Sequence, residues 1–346
     1  MIIDIHGHYT TEPAPLHQFR DKQLAALADP ARKPTTTDLG ISDEQLVQSV
    51  QPQLRFQTER GSDLTIFSPR ASGMGHHVGN EEVNKVWSRV SNDLIHRICT
   101  LLPENFAPVG QLPQFPGAPI EGCLGELERL KDLGFVGVNL NPDPSGGYWK
   151  SPPLTDRYWY PIYEKLVEFE MPAMVHVTGS CNPAVHFTGA HYINGDTTAF
   201  MQLLQGNLFK DFPALKFVIP HGGGAVPFHW GRYRGIAQDM KKPLLTEHLL
   251  KNVYFDTCVY HLPGMELMAK VIPVDNILFA SEMVGAVKGI DPETGHYFDD
   301  TKKYVDQLGL SEADRHKIFE GNARRVYPRL DQRLRERGHA PKKVAA

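Results

Sequence analysis

Cysteine is scarce in this sequence, and no two cysteines are closely spaced. The 346 residues contain four, at Cys99, Cys123, Cys181 and Cys258. A disulfide framework or a thiolate zinc site needs cysteines at short, regular spacings, so neither is indicated. We therefore expect four reduced thiols.

The sequence also lacks an excess of either charge and any long hydrophobic run. Lysine and arginine total 36 against 40 aspartates and glutamates, a formal net charge of -4. Nucleic acid and anionic membranes attract basic surfaces, which this balance does not provide. No stretch is apolar for the roughly 18 residues of a membrane span, and the first residues do not resemble a signal peptide. We expect a cytoplasmic protein with neither nucleic acid nor membrane as a partner.

The sequence does contain short apolar runs that alternate with amphipathic segments. In residues 81–102, 120–133 and 155–170, apolar residues return at three- and four-residue steps, as in helices that cover a sheet. This alternation predicts an α/β fold, a single (β/α)8 TIM barrel. The eight candidate strands are residues 1–5, 64–68, 106–112, 135–140, 172–177, 216–220, 253–257 and 277–280.

The domain organisation follows from the spacing of these strands. The gap between the first two is long and contains a Pro- and Thr-rich piece, residues 30–37, which predicts an insertion that distorts the barrel mouth. No internal repeat or linker divides the chain. We predict one metal-dependent barrel over residues 1–330, followed by a C-terminal helix end and tail over residues 331–346.

Chemically capable side chains fall at the C-terminal ends of the candidate strands. In a (β/α)8 barrel these ends meet on one face, which carries the active site. The residues are His6 and His8 on the first strand, Arg70 after the second, Asn139 and Asn141 on the fourth, His176 on the fifth, His221 after the sixth and Glu282 after the eighth.

The His-x-His pair is the first sign of a metal site. Side chains alternate along a strand, so His6 and His8 face the same side and can share one ion. Alone, the pair could equally be two solvated histidines. With His176 and the carboxylate of Glu282 it completes a set of three imidazoles and one carboxylate, which favours a metal. Asp4 is a candidate hydrogen-bonding partner rather than a ligand.

Four motifs surround these residues: Asp4-Ile5-His6-Gly7-His8, Met174-Val175-His176-Val177-Thr178, Pro220-His221-Gly222-Gly223-Gly224 and Leu278-Phe279-Ala280-Ser281-Glu282. Together they resemble the amidohydrolase superfamily, in particular its amidohydrolase-2 branch of decarboxylases, lactonases and hydratases. Residues 1–10 and 281–298 most closely resemble the hydratases. Most superfamily members carry Asp after the last strand, whereas Glu282 stands here as in the hydratases, which argues against the decarboxylases.

The resemblance also bears on the number of metals. Binuclear relatives bridge two ions with a modified lysine at the end of the fourth strand, where this chain has Val138-Asn139-Leu140-Asn141. We therefore expect one metal ion per subunit, and imidazole-rich ligation favours Zn²⁺.

The activity that the resemblance implies is hydration of a conjugated carbon–carbon double bond, in bacterial catabolism of protocatechuate or gallate. The metal would activate water or steady an enolate, and Glu282 or His221 would move the proton. Which of the two is the acid stays open. Barrels of this branch usually self-associate, which implies a homo-oligomer.

A small tricarboxylate substrate would need cationic and hydrogen-bonding partners at the barrel mouth. Each candidate alone could be an ordinary surface residue, but together they favour anion binding. The candidates are Arg70, His77, Tyr192, Asn194, Arg232 and Lys288.

Three alternatives stay open. The same metal could support nonoxidative decarboxylation of an aromatic or muconate-type acid. It could instead serve only to hold the loops together in a non-catalytic binding barrel. Covalent catalysis has little support, and the carboxylate and His221 beside an open metal argue most strongly against the non-catalytic barrel. The His221 glycine run resembles an esterase oxyanion loop, yet no Gly-x-Ser-x-Gly nucleophile motif is present, and Cys181 has an ordinary loop thiol as its simpler explanation.

Overall fold

Eight parallel strands form one sheet whose order follows the chain from β1 to β8. The computed structural model describes residues 1–285 and 287–341. Every residue of the eight strands is buried, as expected for a parallel sheet that is covered on both faces. The strands are β1 Ile3–Tyr9, β2 Leu64–Pro69, β3 Phe106–Gln111, β4 Gly137–Leu140, β5 Ala173–Val175, β6 Phe217–Ile219, β7 Val253–Asp256 and β8 Ile277–Leu278.

Helices follow the strands and cover the outside of the sheet. They are α1 Ala14–Ala25, α2 Asp43–Ser49, α3 Gln51–Arg60, α4 Ala71–Met74, α5 Glu81–Leu101, α6 Leu124–Asp132, α7 Tyr160–Glu168, α8 Gly189–Gln205, α9 Leu208–Asp211, α10 Trp230–Asp239, α11 Leu245–His248, α12 Leu262–Val271, α13 Thr301–Asp306, α14 Glu312–His316, α15 Asn322–Val326 and α16 Pro328–Glu336.

The sheet curls until its first strand meets the segment that contains its last. The Ile5 amide donates to the Phe279 carbonyl at 3.0 Å, and the Glu282 amide donates to the His6 carbonyl at 2.9 Å. These two bonds close the barrel at the level of the His-x-His pair. The predicted α/β barrel is therefore confirmed.

All eight candidate strands are present, with different ends. β1 continues to Tyr9 and includes both histidines, because their neighbours pair with β2 as far as Pro69. β5 and β8 are shorter than predicted, at three and two residues. The chain leaves the ladder at those ends to carry His176 and Glu282 into the mouth.

The C-terminal helix α16 packs under the bottom of the barrel. Leu330 and Leu334 are buried and join the cluster that contains Ile3 and Ile5. Apolar contact with the first strand thus continues past residue 330, into the segment predicted as a helix end. Residues 342–346 of the predicted tail lie outside the described residues.

The segment between β1 and β2 folds as α1, α2 and α3, with a single 3₁₀ turn, Pro30–Arg32, in its Pro- and Thr-rich piece. It reaches the mouth at two points. The Arg20 guanidinium donates to the Val78 carbonyl after β2, and the Thr10 hydroxyl donates to the Val284 carbonyl after β8. Within the described parts of the chain, no helix combines the length and the apolar character that crossing a membrane requires.

Candidate active site

Four histidines meet at the C-terminal end of the barrel, and each binds a protein acceptor through Nδ1. An Nδ1–H donated outward leaves the Nε2 lone pair free, which is the usual state of a metal-binding imidazole. The partners are Asp256 Oδ2 for His6 at 2.7 Å, Ser68 Oγ for His8 at 2.8 Å, the Val177 carbonyl for His176 at 2.6 Å and Asp196 Oδ2 for His221 at 2.8 Å.

The free Nε2 atoms crowd together. Nε2 of His8 lies 3.0 Å from that of His6 and 3.3 Å from that of His176. Two nitrogens bound to one ion at about 2.1 Å are separated by roughly 3.0–3.4 Å at ordinary coordination angles. Burial first, and then the neighbouring imidazoles, lower the pKa values of His8 and His176 well below the usual range. These two rings are therefore neutral, as metal ligation requires.

His221 and Glu282 join the cluster from the other side. One ligand atom from each of His6, His176, His221 and Glu282 lies within 4.8 Å of the others. The structure thus brings together all the predicted metal ligands and the second predicted catalytic residue. His6 and His176 belong both to this group and to the close contacts of His8. The residues fit a divalent ion, while the division between ligands and proton-transfer groups stays a prediction.

His221 is held by a buried carboxylate from α8. Burial alone would lower its pKa, but the charge and the hydrogen bond of Asp196 outweigh it and raise the pKa to about 9. Burial raises the pKa of Asp196 to about 6 against the pull of His221. The shift of His221 favours an imidazolium paired with the Asp196 carboxylate, so its Nε2 favours a bound proton in the metal-free protein, unlike those of His8 and His176. Nε2 of His221 has no hydrogen-bond partner among the described residues and lies 3.8 Å from Glu282 Oε2.

Glu282 sits on an irregular backbone just after β8. Its φ is +51°, a left-handed conformation that is uncommon for a residue other than glycine. Asp4 holds the preceding residue, because it accepts hydrogen bonds from both the amide and the hydroxyl of Ser281. The Tyr260 hydroxyl donates to Glu282 Oε2 at 2.7 Å. The carboxylate is therefore fixed from its backbone and from its end.

A cavity of about 410 Å³ opens beside His221 and Glu282. Its polar lining includes Tyr192, whose ring stacks on His221 at 5.5 Å, and Tyr260. Its size suits a small organic acid. The apolar part of its wall is formed by Ala190, Ile193, Val259 and Val287.

The predicted substrate-binding residues fall into two groups. Tyr192 lines the cavity, whereas Arg70 and His77 lie outside its lining. Arg70 is half-exposed, and its Nε–H donates to Ser72. His77 is partly buried, and its Nδ1 has no hydrogen-bond partner among the described residues. The second group is exposed and lies outside the cavity lining: Asn194, Arg232 and Lys288.

Sequence reasoning missed the partners that hold these groups. Asp256 is the last residue of β7 and lies one residue before the end of the predicted strand, a position like those of the predicted site residues. Asp196 and Tyr192 lie four residues apart on α8, the spacing of one helix face, and both contact His221. No sequence pattern pointed to Ser68 or Tyr260.

The residues of the covalent alternative lie elsewhere. Cys181 is exposed, and its thiol lies 3.7 Å from the Ser145 carbonyl and 3.6 Å from the Gly146 carbonyl. Cys181 does not join the histidine cluster. The thiol that lies beside the cluster is that of Cys258, whose Sγ is 3.7 Å from His6 Nδ1.

Comparison with known proteins agrees with this geometry. A family model described as Amidohydrolase matches residues 3–329. The 2-keto-4-carboxy-3-hexenedioate hydratase of Sphingobium sp. is 59% identical over 340 residues, which are 98% of this chain and 99% of that protein. The structure of 4-oxalomesaconate hydratase from Rhodopseudomonas palustris has a TM-score of 0.91 and 58% identity, covering 98% of this chain and 99% of its own.

A more distant structure shares only the fold. It is a dihydroxybenzoic acid decarboxylase from Polaromonas sp., solved with bound manganese, with a TM-score of 0.68 and 22% identity over 94% of this chain and 96% of its own. The two hydratases match this chain far more closely and over nearly its whole length. The chain belongs to the amidohydrolase family, and within that family it groups with the hydratases.

Proposed function

We propose that this protein is a zinc-dependent hydro-lyase that adds water to 4-oxalomesaconate and gives 4-carboxy-4-hydroxy-2-oxoadipate. The observation that carries the proposal is the pairing of Glu282 with His221 beside the converging imidazoles. The 59% identity to a hydratase supports the choice of reaction.

The reaction is a conjugate addition. The hydroxyl oxygen of water bonds to C4 of the substrate, and the electron pair of the C3–C4 double bond moves toward the 2-oxo group as an enolate. A proton then bonds to C3, and the enolate returns to a ketone. The balance is one water gained, so the site needs an acceptor for the proton of water and a donor for C3.

We propose that the ion is held by His6, His8, His176 and Glu282. A divalent ion held there would lower the pKa of water and polarise a substrate oxygen. Zinc suits a set rich in imidazole. Asn139 occupies the end of β4 and donates to Ser68 Oγ at 3.2 Å, so this strand supplies a hydrogen bond to the partner of His8 rather than a bridging lysine.

The two proton-moving groups are fixed differently. His221 is paired with Asp196, which favours its protonated form, and its unpartnered Nε2 faces the site. This arrangement suits donation of the proton to C3. Glu282 accepts a hydrogen bond from the Tyr260 hydroxyl through Oε2, and a carboxylate fixed in this way suits acceptance of the proton from water.

The three carboxylates of the substrate require donors around the cavity. We propose that Arg70, His77 and Tyr192 supply them from within the mouth. Asn194, Arg232 and Lys288, all exposed, would act from the rim or across a contact in a homo-oligomer. With 4-oxalomesaconate as its substrate, the proposed reaction would follow ring opening in the breakdown of protocatechuate or gallate.

One experiment tests the reaction directly. Zinc-loaded protein is mixed with 4-oxalomesaconate, the conjugated ultraviolet absorbance is followed, and the product is weighed by mass spectrometry. Loss of absorbance with a gain of one water, abolished by a chelator, supports the proposal. Release of carbon dioxide from an aromatic acid, with 4-oxalomesaconate unchanged, would replace hydration by decarboxylation. Metal-dependent thermal stability without turnover of either acid would indicate a binding barrel.

A further inference from the structure

One buried carboxylate contacts both His6 and the turn that carries His221. Asp256, at the end of β7, is fully buried. Its Oδ2 accepts the Nδ1–H of His6 at 2.7 Å, and its Oδ1 accepts the backbone N–H of Gly222 at 3.0 Å. Gly222 directly follows His221. A single side chain therefore touches a proposed metal ligand and the turn that carries the proposed proton donor.

The turn after β6 needs such an anchor because its backbone is unusual. Four consecutive residues, beginning with His221 at +50° and Gly222 at +64°, have positive φ. A Cβ on Gly222 would lie 2.6 Å from a Val259 methyl carbon, and one on Gly223 would lie 2.5 Å from the Phe255 ring. The turn is thus pressed against β7 and the residues after it. A residue such as His221 holds a left-handed conformation only when its surroundings enforce it.

Asp256 has more hydrogen bonds than a strand-ending residue needs. Besides His6 and Gly222, its Oδ1 accepts the backbone N–H of Cys258 at 3.0 Å. Three N–H groups from three segments of the chain converge on one carboxylate. An ionised carboxylate can accept all of them, because it has two oxygens with about four lone-pair sites.

We propose that Asp256 is a positioning residue that sets His6 and the His221 turn in a fixed relation. It orients the His6 ring so that Nε2 points at the metal, and it fixes the backbone from which His221 reaches the substrate. The His6 part stands without any particular reaction. The His221 part rests on the proposed hydration.

The first test is Asp256→Asn in the full chain. Asn has one oxygen and one N–H2 group where three donors converge, so His6 or the backbone amides must lose their acceptor. We expect the dissociation constant for Zn²⁺ to rise roughly 10–100-fold, as for other residues that hold metal-binding histidines. The visible spectrum of the Co²⁺-substituted protein should shift as well. Neither readout uses a substrate.

The matched control is Glu320→Gln, which removes another buried carboxylate charge far from the cluster. Glu320 is 1% exposed and binds Arg324 and the N-terminal amine. This variant should lose stability while keeping the native metal affinity and Co²⁺ spectrum. If Asp256→Asn kept them too, Asp256 would be an ordinary structural residue and the proposal would fall.

A second variant covers failure of Asp256→Asn to fold. Asp256→Glu keeps the charge but moves the carboxylate by one C–C bond, roughly 1.5 Å. We expect Asp256→Glu to bind Zn²⁺ more tightly than Asp256→Asn does, if the latter folds. Its hydration rate should still be at least 10-fold below that of the native protein. Native metal affinity together with a native rate would overturn the proposal.

A double-mutant cycle tests the link to His221. With saturating zinc, Asp256→Asn should lower the hydration rate at least 10-fold in the native protein but less than about 3-fold in a His221→Asn background. Equal losses in both backgrounds would break the link to His221. If no variant hydrates 4-oxalomesaconate, native protein included, the proposed function fails while the metal-affinity result still decides the His6 part.

Discussion

The Tyr260 hydroxyl donates a 2.7 Å hydrogen bond to Glu282 Oε2, the same oxygen that lies 3.8 Å from His221 Nε2. The carboxylate therefore has one oxygen shared between two neighbours at the edge of the cavity. Tyr260 itself has a φ of +65°, so both ends of this bond come from strained backbone. Two residues in a rarely populated backbone conformation therefore hold the Glu282 carboxylate in place.

Replacing Glu282 by Gln should reduce hydration by at least about 10²-fold, because the amide cannot accept a proton from water. In the metal-free protein the melting temperature should change little, since the backbone around residue 282 is held by Asp4 and Ser281. Steady-state kinetics with 4-oxalomesaconate and a thermal melt check both points. Tyr260→Phe, which loses only the hydroxyl, should show a smaller loss. A near-normal rate in Glu282→Gln would remove Glu282 from the chemistry.

Asp196→Asn should lower kcat by about 10²-fold with little change in KM, because the amide oxygen still binds His221 Nδ1 but no longer favours the imidazolium. Asp211→Asn is a suitable control, since Asp211 binds the Tyr160 hydroxyl on the exposed surface. Rates measured across substrate concentrations separate kcat from KM. Equal kinetics in the two variants would mean that the charge of Asp196 is not used.

Arg70→Met should raise KM at least about 10-fold, since a charged hydrogen bond to a carboxylate contributes roughly 1.5–3 kcal/mol. The value of kcat at saturation should fall less. The control is Arg55→Met on the exposed surface of α3, where Arg55 pairs with Glu59. If Arg55→Met raised KM as much as Arg70→Met, a general field effect would explain both.

Glu12 predicts a pH dependence of stability. Its side chain is 5% exposed, and burial raises its pKa to about 8 against the opposing charge of Arg70. The folded chain thus keeps this proton between about pH 4.5 and 8 while the unfolded chain releases it, so this group makes folding less favourable as pH rises through that range.

Glu12→Gln should remove this effect. The variant should gain stability relative to the native protein between pH 5 and 8.5, by on the order of 1–3 kcal/mol. Urea unfolding at both pH values measures it. Glu59→Gln, at an exposed site, should show no such trend. A constant difference between Glu12→Gln and native would show that Arg70 already holds Glu12 ionised.

Chelation should abolish hydration and lower the melting temperature, because the ion binds the folded state and not the unfolded chain. Restoring Zn²⁺ should recover both. Metal analysis of the freshly purified protein identifies the native ion. Full activity after complete metal removal, checked by the same analysis, would contradict the metal-dependent proposal.

The sequence was enough to predict the barrel because its strands are buried on both faces and therefore read as apolar runs. It was also enough to bring His6, His8, His176, His221 and Glu282 to one face, since that prediction needs only strand ends. The lengths of β5 and β8 were beyond it. Pairing there stops where the chain turns to place His176 and Glu282, and no residue pattern marks that point.

The supporting residues were harder to predict for a different reason. Asp196, Asp256 and Ser68 matter through contacts with a histidine that is 25 to 250 residues away. A helical or strand period shows only which side a residue faces. It does not show which ring nitrogen that residue meets.

The bonds that join β1 to the segment after β8 carry a consequence for how the protein is made. Glu282 and the Phe279 carbonyl that helps close the barrel follow His6 in the chain by about 270 residues. A nascent chain therefore holds two histidines of an incomplete chelator for most of translation. The complete set of proposed metal ligands can therefore form only after the segment that carries Glu282 has joined β1, so a bound ion would gain its carboxylate ligand as the last step of barrel closure.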